Sequence, residues 1–415
     1  MIQQTSGMMA NDSEKYSGKK ILIGITGGIA AYKIAELIRY FVKSGAEVRV
    51  VMTKNATEFI TPLTIETLSN NRVTTDTFPG HDAHYPEMWG THHVNIAQWS
   101  DIMLIAPAGG NVIGKIASGI ADDALTTIVM ACSKPVALAV AMNDRMYTNS
   151  IVQQNIKKLR DHGYHIIDPG NGFLAEGYEG VGRLAEFESL IWEADKILLG
   201  TNELKNKRIL ITAGPTQEPL DPVRILTNHS SGKMGYAIAR EAALMGAEVT
   251  LISGPTALPA PPGVSVMQVT TADAMDKAVR GQFTKHDALI MTAAVADFKP
   301  ARQEKQKIKK TGAKNITIEL ARTPDILANI GKQKGRRYVV GFALETDQEI
   351  ENAQRKLHAK NLDFIVANNP KEQGAGFNTD TNIVTIIDKN SIMRWPKMSK
   401  AQVARKILEK VAKEI

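Results

Sequence analysis

Cysteine is almost missing. Cys132 stands alone among 415 residues, so the chain cannot close a disulfide on itself, and a reducing compartment, the cytoplasm, is expected. It sits in the apolar run IVMACSKPVALAV, which reads as a buried strand thiol. Long apolar stretches are absent as well. No run approaches the ~18 consecutive apolar residues of a membrane span, so no membrane partner is expected. Aromatic residues make up only 6% and are not interleaved with basic clusters. A nucleic-acid-binding module, the class that the net charge of +7 would suggest, therefore lacks its usual signature. A patch for nucleotide phosphates accounts for the same charge. The first eighteen residues, MIQQTSGMMANDSEKYSG, have no apolar core and read as a disordered tail.

What is present is a repeated pattern. The chain is long for one hydrophobic core, and two domains of about 200 residues are the natural expectation. KKILIGITGGIAAYKIAELIRYFVKSGAEVRVVMT opens the first half, and KRILITAG, then SSGKMGYAIAREAALMGAEVTLISG, opens the second. Each copy has two cations, a buried strand, a glycine turn, an amphipathic helix, GAEV and another strand. That is a βαβ unit twice over. Further apolar strands follow: DIMLIAPA, PVALAVAM and YHIIDP, then HDALIMTAAVAD, YVVGFAL and LDFIVANN. The fold class is α/β, with two Rossmann-like domains of mostly parallel strands at 19–199 and 208–415, joined by GTNELKNK at 200–207.

Ligands gather where such strands end. ILIGIT runs into GGIAAYK, which is not a G-x-G-x-x-G fingerprint. Backbone N–H groups at Gly27 and Gly28 still suit one phosphate at a helix start. NGFLAEGYEGVGR, residues 171–183, reads as a glycine-rich loop able to bend and close, with Glu176 at its centre. The basic run EKQKIKKTG, with Lys305, Lys307, Lys309 and Lys310, reads as a solvated loop. His93 alone is equally surface polarity or a proton-handling imidazole. Phe342 alone is equally core or a nucleotide contact. Lys356 and Lys360 alone are ordinary helix surface.

Taken together and in order, several motifs resemble one family, the bacterial bifunctional coenzyme A enzymes. In these a phosphopantothenoylcysteine decarboxylase is fused to a phosphopantothenate–cysteine ligase. The first half carries TGGIAAYK, HVNIAQWSDIMLIAPA, GIADDAL, AMNDRMY and GFLAEGYEGVGR. The second carries ITAGPTQEPLDPVR, NHSSGKMG, AAVADF, KIKK, TPDI, GFALET and NLDFIVAN. The resemblance implies a flavodoxin-like decarboxylase half that binds FMN, with its phosphate near Gly27, Gly28 and Thr53. Asn111 and the Ala121-Asp122-Asp123 segment would lie on the same pocket. His93 matches a catalytic histidine, and Asn143 an asparagine that binds the substrate carboxylate. Val140 stands where the family usually has proline before AMN. It also implies a homotrimeric decarboxylase unit with sites between subunits, and larger assemblies such as a dodecamer.

Loss of CO₂ from a C-terminal cysteine needs an electron sink. The family obtains it by oxidising the cysteine side chain with FMN, and the resulting enethiolate is then reduced. A loop cysteine serves as acid in that reduction, and Glu176 occupies its place. A thiol is protonated at neutral pH and a free glutamate is not. Glu176 replaces it only if closure or the nearby thiolate disfavours its charge. The second half would join 4′-phosphopantothenate to cysteine through an acyl-cytidylate, with CTP as co-substrate and Mg²⁺. Asn228 matches the residue for acyl-cytidylate formation and Lys307 the one acting after it. Asp297, Pro324, Asp325, Ile326, Leu327, Phe342, Lys356 and Lys360 match CTP contacts; no Mg²⁺ ligands are assigned. A flavoprotein that decarboxylates a peptide's C-terminal cysteine and stops at the enethiol is the alternative, opposed by the complete ligase half.

Overall fold

The computed structural model describes residues 14–78, 91–309, 317–344, 348–369, 371, 372, 374, 376 and 378–415. The chain divides into two compact units between Leu199 and Gly200.

The first unit is built on six strands in the order Val73–Thr74, Glu47–Met52, Lys20–Ile25, Ile102–Ala108, Val136–Val140 and His165–Ile167, all parallel. In chain order this is 3-2-1-4-5-6. Without the two-residue edge strand it becomes the flavodoxin-like 2-1-3-4-5. The central strands are unbroken aliphatic runs because both faces of the sheet are covered. On one face Ile21, Ile23 and Ile25 meet Leu37, Ile38 and Phe41 of the helix Ile34–Lys43. On the other, Leu22, Met103 and Ile105 meet Leu125 and Ile128 of the helix Ala124–Ala131. Full burial of each such side chain stabilises by about 1.5–3 kcal/mol.

Three expectations need correction here. The tail is not free to residue 18. Tyr16 is fully buried against Tyr40 and Phe41, its hydroxyl donates to Asp195 at 2.5 Å, and Lys15 pairs with the same carboxylate at 2.8 Å. Residues 1–13 of that tail lie outside the described residues. Cys132 is half-buried and caps the C-terminus of helix Ala124–Ala131 instead of lying in a strand; the strand begins at Val136. The glycine-rich segment is a hairpin, Gly170–Phe173 against Glu179–Arg183. Its return strand lies on the chain at Met142, where the Met142 N–H donates to the Gly182 carbonyl at 2.9 Å. A Cβ on Gly182 would stand 2.0 Å from the Met142 carbonyl oxygen, so only glycine fits.

The second unit holds eight strands in the order Val264–Gln268, Glu248–Ser253, Arg208–Ala213, Ala288–Met291, Tyr338–Leu344, Phe364–Asn368, Val384–Asp388 and Ile392–Arg394. The first six are parallel in the 3-2-1-4-5-6 order, and the last two are antiparallel additions. Helices Lys233–Leu244 and Lys400–Ala412 cover one face; Ala272–Phe283, Ile326–Lys332 and Glu349–Ala359 cover the other. The segment read as a joint belongs to this unit. Leu204 is fully buried in its core, and the N–H groups of Thr201 and Leu204 donate to the Leu244 and Met245 carbonyls. Among the described residues no helix is long and apolar enough to cross a membrane.

Candidate active sites

In the first unit a cavity of about 790 Å³ opens beyond strands Lys20–Ile25 and Ile102–Ala108, where the strand order reverses. Gly27, Gly28, Thr53, Asn111, Asn143 and Glu176 all line it. Gly27 is required by packing, since a Cβ there would meet Asn55 Cβ at 2.4 Å. Gly28 faces open space, with only Pro107 Cγ at 3.9 Å from an added Cβ. That leaves the backbone open to the cavity at the start of the turn Ile29–Lys33, where N–H groups suit an anion. Thr53 caps the next turn, accepting from the Ala56 N–H at 3.3 Å.

Asp122 does not line the cavity. It pairs with Lys115 at 2.7 Å, and it is Lys115 and Asp123 that reach the wall. The Asp122 hydrogen bond leads in raising the Lys115 pKa. Burial pushes Asp123 up, but Thr126 and Lys115 outweigh it and hold its carboxyl below the ordinary value. His93 also stands apart from its own chain's cavity. It sits half-buried on helix His92–Trp99, its Nδ1 enclosed without a hydrogen-bond partner among the described residues. Asn143 caps the helix Asp144–Tyr147, its Oδ1 accepting from the Arg145 N–H at 2.9 Å. Glu176 is exposed at the hairpin tip.

The second cavity, about 840 Å³, lies beyond strands Ala288–Met291 and Tyr338–Leu344 and before helix Lys233–Leu244. Asn228, Asp297, Pro324, Asp325, Ile326, Leu327, Phe342 and Lys360 line it. The Asn228 amide donates to the carbonyls of Ala294 at 3.3 Å and Val295 at 3.2 Å. Asp325 caps helix Ile326–Lys332 and pairs with Lys360 at 2.9 Å. Burial pushes its carboxyl up, but the Ala328 N–H and Lys360 hold it below its usual value. Phe342 both packs on the core and faces the cavity, so its two readings are compatible.

Lys356 and Lys307 are outside the lining. Lys307 is exposed on a segment held at Ile308, whose N–H donates to Asp221 at 3.1 Å and whose carbonyl accepts from Arg224 at 3.1 Å. Lys310 lies outside the described residues. Among the described residues no group of three or more His, Cys, Asp or Glu is arranged to hold a metal ion.

Sequence reasoning missed Lys33, Asn55 and Lys115 in the first cavity and Lys233, Asn382 and Lys400 in the second. Lys33, Lys115 and Lys233 had a signal, since each follows a strand end within a motif already of interest. Lys400 had none: it starts the last helix and is folded inward, its ammonium held by the carbonyls of Thr379 and Gly376. Burial, then Lys233, pulls its pKa down to about 8, with Asp380 opposing.

Residues 9–198 match the Flavoprotein family, and 204–415 match the DNA/pantothenate metabolism flavoprotein C-terminal domain. The coenzyme A biosynthesis bifunctional protein CoaBC of Bacillus subtilis is 46% identical over 401 residues, spanning 95% of this chain and 97% of that one. The chain belongs to the bifunctional coenzyme A biosynthesis family. The CoaBC protein of Borreliella burgdorferi is 45% identical, covering 94% of this chain and 98% of its own. A crystal structure of a CoaBC C-terminal domain is 44% identical, covering 51% of this chain and 97% of that one, with a TM-score of 0.45. Membership in this family makes the first unit a flavoprotein domain with a flavin cofactor.

Proposed function

We propose that the chain catalyses two consecutive steps of coenzyme A biosynthesis. The second unit, 208–415, ligates cysteine to 4′-phosphopantothenate with CTP. The first, 19–199, decarboxylates the phosphopantothenoylcysteine so formed to 4′-phosphopantetheine with FMN. The observation that carries this reading is the grouping of matched residues, one set around each cavity.

In the first cavity Gly27, Gly28 and Thr53 would hold the FMN phosphate, with Asn111 on the wall; Asp122 would act through Lys115. When bound, FMN supplies the reversible two-electron oxidation that makes carboxylate loss possible. The Asn143 amide donates to the substrate carboxylate without a full positive charge, so it does not resist that loss. Glu176, covered by substrate, delivers the proton that completes the saturated product. His93 manages protons in the oxidation. Its place outside its own cavity supports a homotrimeric arrangement in which one copy's His93 serves another copy's site, within larger assemblies such as a dodecamer in the cytoplasm.

In the second cavity the phosphopantothenate carboxylate attacks the α-phosphorus of CTP and expels pyrophosphate. The cysteine amine then displaces CMP. Pro324, Asp325, Ile326 and Leu327 read the base with Phe342 beside it, and Lys356 and Lys360 hold the triphosphate. Asn228 serves the first step and Lys307 the second. Mg²⁺ typically binds through one or two carboxylates plus substrate phosphates, and Asp297 on the lining fits that role.

The test is incubation of purified protein with CTP, Mg²⁺, cysteine and 4′-phosphopantothenate, read by mass spectrometry. CMP and 4′-phosphopantetheine are expected from a yellow protein. Colourless protein that takes up no FMN and forms no CMP would overturn the reading.

A further inference from the structure

Tyr178 joins the glycine hairpin to the residues that end the cavity floor. Its hydroxyl donates to Asp144 Oδ1 at 2.5 Å and accepts from Asn143 Nδ2 at 3.1 Å. The directions are forced by chemistry. Asn143 Oδ1 is already the acceptor for the Arg145 N–H, so Nδ2 must face the phenol. A carboxylate oxygen accepts, so the phenol's proton points to Asp144. One chain of bonds therefore runs from the Asn143 amide through the phenol to a carboxylate. Its charged end strengthens the middle link. The bond to Asp144 also leads in raising the phenol's pKa above its ordinary value.

Asn143 has four hydrogen-bonding positions, two acceptor lone pairs and two N–H groups. Arg145 takes one lone pair and Tyr178 one N–H. The other N–H has no partner among the described residues, and Asn143 lines the cavity. We propose that Tyr178 is a positioning residue for decarboxylation: it fixes the rotation of the Asn143 amide so that the remaining N–H is presented to the substrate carboxylate, and by drawing Asp144 into the same network it keeps that negative charge from facing the substrate. The assignment rests on the reading of Asn143 as the carboxylate-binding residue. It adds that the binding group is complete only while the hairpin is docked, because Tyr178 belongs to the hairpin and Asn143 does not.

The experiment uses the flavin-loaded full chain and the variant Tyr178→Phe, which removes only the hydroxyl. The KM for phosphopantothenoylcysteine should rise roughly tenfold, the worth of one charge-assisted network bond, with a smaller change in kcat. The inhibition constant of 4′-phosphopantetheine, which has the same body but no carboxylate, should move less than about twofold. A phenol that merely props the hairpin would weaken both ligands alike, and that outcome overturns the proposal. So does an unchanged KM. Should Tyr178→Phe fail to fold, Asp144→Asn serves instead: its amide oxygen still accepts from the phenol, so the KM for phosphopantothenoylcysteine should stay within about twofold, and a tenfold rise would overturn the proposal. A wild-type protein that fails to decarboxylate the substrate at all would instead remove the functional reading beneath the proposal, so the two failures are distinguishable.

Discussion

Lys360 Nζ lies 2.9 Å from Asp325 Oδ1, so this lysine of the second cavity is paired with a carboxylate on the same wall. A bound triphosphate must compete with that carboxylate. Lys360→Met should raise the KM for CTP about tenfold or more, the loss of one charged hydrogen bond. Decarboxylation of supplied phosphopantothenoylcysteine should be unaffected. Initial rates of CMP release against CTP concentration decide it, and an unaltered KM would remove Lys360 from the nucleotide site.

Glu176→Gln should separate two events in the first cavity. In a single turnover CO₂ release should persist and the flavin should stay reduced, while saturated product falls at least tenfold and the enethiol accumulates, since general acid catalysis contributes ~10²–10⁴ in rate. Product masses differing by two hydrogens report the ratio directly. Normal yield of the saturated product would assign the proton to another group.

Gly27→Ala forces a Cβ to within 2.4 Å of Asn55 Cβ. Overpacking of this kind costs about 1–3 kcal/mol, and here the strain falls on the phosphate turn. The variant should purify with reduced flavin absorbance but still release CMP from CTP. Full flavin content would show that the turn relaxes without consequence.

Lys400 makes a pH prediction with a definite sign. Its folded pKa is about 8, below its ordinary 10.5. Between those values the unfolded chain holds a proton that the folded chain has released, so raising the pH favours the folded state. Wild-type stability measured relative to Lys400→Met should therefore rise from about pH 8 to about pH 10.5 in denaturant titrations. Nucleotide affinity should move the other way, because the cavity loses a cation. Wild-type stability that falls relative to Lys400→Met as the pH rises would contradict the assignment.

The central strands were legible because both sheet faces are buried, which writes each strand as a plain aliphatic run. ILIGIT, DIMLIAPA and HDALIMTAAVAD show this directly. Residues just after those strands were legible as site residues for the same reason, since the topology leaves a crevice there. What stayed hidden depends on distant partners. Tyr16 reads as part of a polar tail, and only distant partners, the Tyr40 and Phe41 rings and the Asp195 carboxylate, make it core. Lys400 reads as helix surface until the carbonyls of Gly376 and Thr379 are folded over it. Tyr178 reads as a loop aromatic, because nothing in EGYEG announces Asn143 or Asp144. The antiparallel strands Val384–Asp388 and Ile392–Arg394 escaped because no βαβ pattern precedes them.

The close fit of Gly182 on Met142 limits how the hairpin can open. A slip of one position would bring Val181 or Arg183 against that carbonyl, where no side chain has room. The two strands therefore cannot slide along the floor to admit substrate. The close fit sets one register, and a hairpin displaced by a residue has no alternative seat on the floor.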